Sequence, residues 1–279
     1  MILESVLILG GVGLTFAVLI AVAHRTLKVW EDPRIDAVAA LLPNANCGAC
    51  GLPGCRAFAE QAVAGKIEPA KCNVLDTAGV SAVATYLGVA AGAVDKRVAR
   101  VRCAGGTSVT VQVAEYRGLS TCAAAAAVAG GGKGCAWGCL GLGDCAVACT
   151  FDALAMNDDG LPVVDIDKCT ACGDCVEACP KDLFFLTPLS RHLFVQCQNL
   201  LAGDDVLAQC RVACTACGRC VQDAAPGLIS VTSGVAVIDE ARAFLADPRA
   251  IDRCPTDSIV WLEGVQFATA RTIERSVAV

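Results

Sequence analysis

Aromatic residues are scarce: phenylalanine, tryptophan and tyrosine make up 5% of the 279 residues. Alanine, glycine and valine dominate instead, and such side chains bury little area each. A conventional core is thin for this length, so something else must staple the fold, as disulfides or metals do in small scaffolds. Positive charge is also short. The net charge of -6 leaves nothing that points to nucleic acid. Histidine is nearly absent. His24 reads as a membrane-interface residue and His192 as a surface one, and the two lie far apart in the chain. No general base, nucleophile or phosphate loop stands out, so no catalytic residue is assigned. The length suits two or three small domains.

Cysteine, by contrast, is abundant, with twenty residues. In an oxidising compartment they would form disulfides; in the cytosol, short spacings point to metal. The N-terminus decides between these. Ser5 to Ala23, SVLILGGVGLTFAVLIAVA, is uncharged, and as a helix it spans roughly 28 Å, close to the ~30 Å of a bilayer core. Ala21-Val22-Ala23 offers a small-x-small cleavage site, but MILES lacks the basic leader of a signal peptide. His24, Arg25 and Lys28 follow the apolar run, so the positive-inside rule places the rest of the chain in the cytoplasm. The expectation is an uncleaved, single-pass anchor with the cysteines in a reducing compartment.

The first cysteine group, CGACGLPGC, holds Cys47, Cys50 and Cys55, and Cys72 follows. Gly and Pro let this loop wrap closely around a bulky ligand. GCRAFAEQAVAGK reads as a helix opening beside Cys55, which returns the chain so that Cys72 closes the site. Four thiolates suit one [4Fe-4S] cluster. A four-cysteine zinc site is the alternative, although such sites usually pair two C-x2-C knuckles. DTAGVSAVATYLGV, from Asp76, reads as a packing helix without chemistry.

CTACGDCVEACP, from Cys169 to Pro180, has the C-x2-C-x2-C-x3-C-P spacing of bacterial ferredoxins. In that arrangement Cys169, Cys172 and Cys175 hold one cluster and Cys179 reaches across to a second. Upstream lies a looser partner, Cys135, Cys139, Cys145 and Cys149, with Thr150 where proline is usual. The expected cross-ligation is Cys135, Cys139, Cys145 with Cys179, and Cys169, Cys172, Cys175 with Cys149. The alternating ALAMNDDGLPVVDIDKC between the halves reads as a hairpin around Asp-Asp-Gly.

Downstream, Cys214, Cys217 and Cys220 repeat the triad, but Ala224 stands where the crossing ligand belongs. Cys254-Pro255 looks like a closing ligand, which predicts one cluster on Cys214, Cys217, Cys220 and Cys254. EARAFLADPRA replaces the loop of a second. Cys210-x3-Cys214-x2-Cys217 also matches a radical-SAM motif, but too little chain follows for the barrel such enzymes need. Cys103, Cys122, Cys197 and Cys210 remain. They read either as small buried hydrophobes or, because they flank the central unit in pairs, as ligands of a fifth cluster.

The order of one apolar helix, LLPNANCGACGLPGC, CAGG, GCAWGCLGLGDC and then ferredoxin motifs resembles the B subunits of Rnf complexes, membrane-bound ion-translocating ferredoxin:NAD+ oxidoreductases. The resemblance covers nearly the whole chain and is most specific from Leu42 to Cys55 and from Gly134 to Cys149. It implies a component of the bacterial inner membrane that takes electrons from soluble ferredoxin or flavodoxin and passes them to partner subunits. Flavin, NAD and ion sites would belong to those partners. Ala224 and the missing last triad depart from the pattern and leave the length of the electron path open. A relay feeding a different reductase is the rival reading, and a membrane-tethered zinc protein is a third.

The expected fold class is α+β: an N-terminal transmembrane helix, a small helical [4Fe-4S] domain, then bacterial-ferredoxin-like modules. The expected boundaries are an anchor over 1–28, the four-cysteine domain over 34–97, and a connecting β/α segment over 98–133. A two-cluster ferredoxin-like domain over 134–190, a degenerate one-cluster domain over 191–265 and a tail over 266–279 complete them. The cofactor expectation is four [4Fe-4S] clusters, with the fifth resting on the four leftover cysteines. Membrane lipid is a partner through the first helix and nucleic acid is not. Lys96, Arg97, Arg100 and Arg102 are the basic residues available to meet an acidic donor.

Overall fold

The computed structural model describes residues 2–27 and 31–267. Lys28 and the tail from 268 onward lie outside the described residues.

Helix α1, Ile2–Thr26, ends on His24 and Arg25. Its segment Val6–Thr26 has a mean hydropathy of 2.6 and none of it is buried by the rest of the protein. A bare apolar surface of that length needs lipid or protein around it.

A three-helix layer follows. Asp32 caps α2, Pro33–Leu41, by accepting from the Arg34 amide, with Pro33 in the first turn. Helix α3 is Cys55–Val63. Asp76 caps α4, Thr77–Leu87, and left-handed Gly88 ends it. Val38, Phe58, Ala59, Ala62 and Val83 form their shared core, and Cys50, Cys55 and Cys72 pack against it.

Beyond this layer the chain mixes short strands and helices. Strand β1, Arg97–Val101, precedes α5, Cys122–Ala127, and α6, Asp144–Val147. Then come β2, Leu154–Met156, and β3, Pro162–Val164, which pair as the expected hairpin. Helix α7, Asp174–Ala178, leads into β4, Phe184–Pro188, and β5, Leu193–Val195. Helices α8, Gly203–Leu207, and α9, Arg219–Asp223, are followed by β6, Ile229–Thr232, β7, Val235–Ile238, and β8, Ile259–Trp261. The strands form four two-stranded antiparallel sheets, β1–β4, β2–β3, β5–β8 and β6–β7.

The 98–133 segment is more than a connector. Its strand β1 pairs with β4 along five residues, Arg97 opposite Pro188 to Val101 opposite Phe184. The side chains of Ala99 and Val101 help to line two of the cavities described below. The intervening Arg100 is 1% exposed, its Nε and Nη1 have no hydrogen-bond partner, and its guanidinium lies 5.7 Å from the Phe194 ring centroid. The expected basic docking patch therefore loses Arg100 to the interior. Arg102 stacks over Phe185 at 4.5 Å, and Lys96 donates to the Asp167 carbonyl. His192 is half-buried rather than free on the surface: its Nδ1 lies 2.7 Å from the Leu262 carbonyl and its ring stacks on Trp261.

Candidate metal centres

All twenty cysteines are free thiols, and nineteen of them are buried or half-buried. Cys103, Cys145, Cys169 and Cys175 belong to one buried cluster and Cys214 to another, and so many thiols brought together call for something that binds them.

The same local geometry recurs three times. In Cys169-Thr-Ala-Cys172-Gly-Asp-Cys175, Ala171 has φ 59° and Gly173 has φ 100°. In Cys214-Thr-Ala-Cys217-Gly-Arg-Cys220, Ala216 has φ 57° and Gly218 has φ 72°. The upstream loop uses Gly141, φ 74°, and Gly143, φ 84°, ahead of Cys145. Left-handed residues at these points curl the backbone so that successive thiols face one centre. The third cysteine of each run then opens a short helix, α6, α7 or α9. The closing cysteines also share a form. Cys149, Cys179 and Cys254 are each followed three residues later by an aspartate with positive φ, Asp152, Asp182 and Asp257. The C-x2-D pattern is present in the sequence, but Cys220-x2-Asp223 shares it, and only the positive φ of the aspartate sets Cys149, Cys179 and Cys254 apart.

Four cavities are each lined by four cysteines. Cys149, Cys169, Cys172 and Cys175 line one, and Cys214, Cys217, Cys220 and Cys254 another, as the spacing predicts. The other two differ from expectation. Cys122, Cys139, Cys145 and Cys179 line the first. Cys103, Cys135, Cys197 and Cys210 line the second. Cys135 therefore does not join Cys139, Cys145 and Cys179, and Cys122 does not join Cys103, Cys197 and Cys210; the two exchange places. The reason is the turn at 135–139, where the Gly138 amide bonds back to the Cys135 carbonyl. The two thiols leave this turn toward different cavities, and the Cys139 amide points at Cys103 Sγ, 3.3 Å away.

The N-terminal set is held by its own loop. Asn46, at φ 48°, accepts the Cys55 amide at 2.9 Å on its side-chain oxygen. A Cβ on Gly54 would lie 2.9 Å from that same oxygen, so glycine keeps the loop closed. Cys72 lies within electrostatic reach of Cys55 and Cys47, and burial raises its pKa.

Contacts join neighbouring sets. Asn73, next to Cys72, donates to the Thr170 carbonyl beside Cys169. Cys145 and Cys175 open α6 and α7, which pack together. Cys139 reaches Cys103 through its amide, and Cys210 and Cys214 are separated by a single helical-turn length of chain.

The donor sets suit an inorganic cluster better than one ion. Among the described residues, no group of three or more Cys, His, Asp or Glu converges tightly enough for a single metal ion. Zinc requires every sulfur about 2.3 Å from one point, whereas a cube carries an iron behind each thiolate and accepts a wider spread. Glycine keeps space open beside the sulfurs: a Cβ on Gly105 would sit 3.3 Å from Cys210 Sγ and 3.5 Å from Cys103 Sγ. Burial pushes Cys139, Cys145 and Cys175 up to about 12, and Cys197 and Cys220 up to about 11. At Cys254 the burial effect is outweighed by hydrogen bonds from Ser258 and nearby amides, and the thiol is lowered.

Residues 42–74 match a family model described as "Putative Fe-S cluster", and residues 161–184 match one described as "4Fe-4S binding domain". The chain is 43% identical to the B subunit of the Na(+)-translocating ferredoxin:NAD(+) oxidoreductase complex of Acetobacterium woodii, over 92% of this chain and 77% of that protein. It is 36% identical to the B subunit of the ion-translocating oxidoreductase complex of Methanosarcina acetivorans, over 92% and 97% of the two chains. It is 35% identical to the B subunit of the proton-translocating ferredoxin:NAD(+) oxidoreductase complex of Clostridium ljungdahlii, over 89% and 88%.

Proposed function

This chain belongs to the family of B subunits of Rnf-type ion-translocating oxidoreductase complexes, and from that premise we propose that it relays single electrons from reduced ferredoxin or flavodoxin to partner subunits. The observation that supports this reading is that sixteen cysteines line four cavities, four to each, and that Cys72 lies within reach of Cys47 and Cys55; with Cys50 added to the last group, the reading makes five sets. The sets are Cys47, Cys50, Cys55 and Cys72; Cys149, Cys169, Cys172 and Cys175; Cys122, Cys139, Cys145 and Cys179; Cys103, Cys135, Cys197 and Cys210; and Cys214, Cys217, Cys220 and Cys254. [4Fe-4S] clusters bound by these sets supply one-electron carriers.

The chain's own residues hold and shield. The central and downstream loops act as ferredoxin-like modules, in which left-handed alanines and glycines aim the thiols. Val101, Phe184 and Met156 cover the Cys122 set, and Ala99, Leu154, Val164 and Leu186 cover the Cys169 set, which keeps water from the sulfurs. The contacts between sets order them in that sequence, from the N-terminal set to the Cys214 set. Helix α1 tethers the chain as a single-pass anchor, with the cysteine-bearing part on the cytoplasmic side.

Mixing the anaerobically purified chain with reduced ferredoxin tests the reading. Bleaching of its cluster absorbance is expected. A chain that holds iron but stays unbleached by both ferredoxin and flavodoxin, while dithionite bleaches it, would contradict the proposed donor.

A further inference from the structure

The set formed by Cys103, Cys135, Cys197 and Cys210 is met by N–H donors and by a nearby cation. Asn199 is 1% exposed and its Nδ2 donates to Cys135 Sγ at 3.3 Å. Its orientation is fixed: Nδ2 also donates to Gln209 Oε1 at 3.1 Å, and Oδ1 accepts the Leu201 amide at 2.8 Å. The Cys139 amide supplies a second N–H to sulfur, at Cys103.

Lys133 adds a full charge. Its half-buried ammonium donates to the Gly105 carbonyl and to the Cys139 carbonyl, each at 2.5 Å. That pins it between the Cys103 loop and the 135–139 turn. It lies within electrostatic reach of Cys103, Cys139 and Cys210. Asp159 feels the same charge, but its carboxylate is already engaged by the Ser108 amide and the Thr107 hydroxyl. In the adjoining cavity, the Cys139 sulfur faces the Gly160 carbonyl at 4.0 Å, the Gly141 and Ala146 amides meet Cys139 and Cys145, and Lys181 lines the wall. No side-chain nitrogen of the described residues donates to Cys122, Cys139, Cys145 or Cys179.

We propose that Asn199 and Lys133 are positioning residues that raise the reduction potential of the Cys103 site. The inference rests on the reading that this set holds a cluster. Reduction adds one electron to a site and makes it more negative by one charge, with no proton required. Hydrogen bonds to sulfur and a fixed cation stabilise that added charge.

The test is a mediated redox titration of the full, cluster-loaded chain, read by EPR, on wild type, Asn199→Asp, Lys133→Met and Lys133→Arg. The signal removed by Cys103→Ser identifies the site. At the wild-type midpoint, Asn199→Asp and Lys133→Met are expected to lower its reduced-to-oxidised ratio about tenfold, equal to about 59 mV for one electron. Lys133→Arg is expected to retain the wild-type value, and the signals of the Cys169 and Cys214 sets are expected to stay in place. A midpoint unmoved in both Asn199→Asp and Lys133→Met at full iron content overturns the inference. If Cys103→Ser removes neither iron nor signal, the cluster reading of this set fails instead, and the inference with it. Lys133 is only half-buried, so Lys133→Met decides the matter even where Asn199→Asp does not load.

Discussion

Asp144 accepts the amide of Cys122 on its carboxylate at 2.8 Å, and the amide of Ala123 at 3.0 Å. One side chain thus binds the start of α5 to the residue preceding Cys145, and brings a thiol from a distant loop into the cavity of Cys139, Cys145 and Cys179. Removing the acceptor leaves two amides unpaired and costs about 1 kcal/mol for each hydrogen bond lost. Asp144→Ala is expected to lose the cluster of the Cys122 set, about one fifth of the iron, with Asp144→Asn retaining more. Iron per chain and EPR spin counts check this, and full iron content in Asp144→Ala would contradict it.

The exchange between Cys122 and Cys135 gives a sharper contrast. Cys135→Ser should remove the same EPR signal as Cys197→Ser, and Cys122→Ser the same signal as Cys179→Ser. Identical losses in Cys135→Ser and Cys179→Ser would restore the grouping that the spacing suggested.

That exchange marks the limit of what the sequence conveys. The Cys169 and Cys214 sets are legible because their first three thiols lie within one curled loop, where spacing and geometry are the same information. The hairpin β2–β3 and helices α3 and α4 are legible for a similar reason, since turn residues and caps act locally. Cys103, Cys122, Cys197 and Cys210 come from separate segments. Their grouping depends on which side of the 135–139 turn each thiol leaves and on how β1 pairs with β4, and neither is written in local spacing. The basic run at 96–102 loses Arg100 because β1 is covered on both faces, with Val98, Ala99, Arg100 and Val101 all buried.

Ala216, at φ 57°, occupies a region that costs an L-residue roughly 1–2 kcal/mol. Ala216→Gly should be neutral or slightly stabilising and should keep its cluster. Ala216→Val, β-branched at positive φ, should destabilise by more than about 1 kcal/mol and weaken loading of the Cys214 set. Thermal melts with iron counts separate the two; equal behaviour of Gly and Val would contradict the account of the curl.

Protonation gives a signed prediction. Ligation removes a proton from each thiol, so the raised thiols at Cys139, Cys145, Cys175, Cys197 and Cys220 make loading release protons and weaken as pH falls. A chelator should strip iron faster at about pH 6 than at about pH 8. The unloaded chain behaves in the opposite sense. Its buried neutral thiols contribute stability that is full below the ordinary value of 9.0 and is lost as pH rises through about 11 and about 12. Melting curves of the unloaded chain across that alkaline window check the sign.

The most direct measurement is iron and acid-labile sulfide per chain, with EPR of the dithionite-reduced protein, after anaerobic purification. Five four-thiolate sets predict about twenty irons and about twenty sulfides, with signals typical of reduced [4Fe-4S] clusters. Zinc without labile sulfide, or cysteines joined in disulfides with no iron bound, would contradict the account.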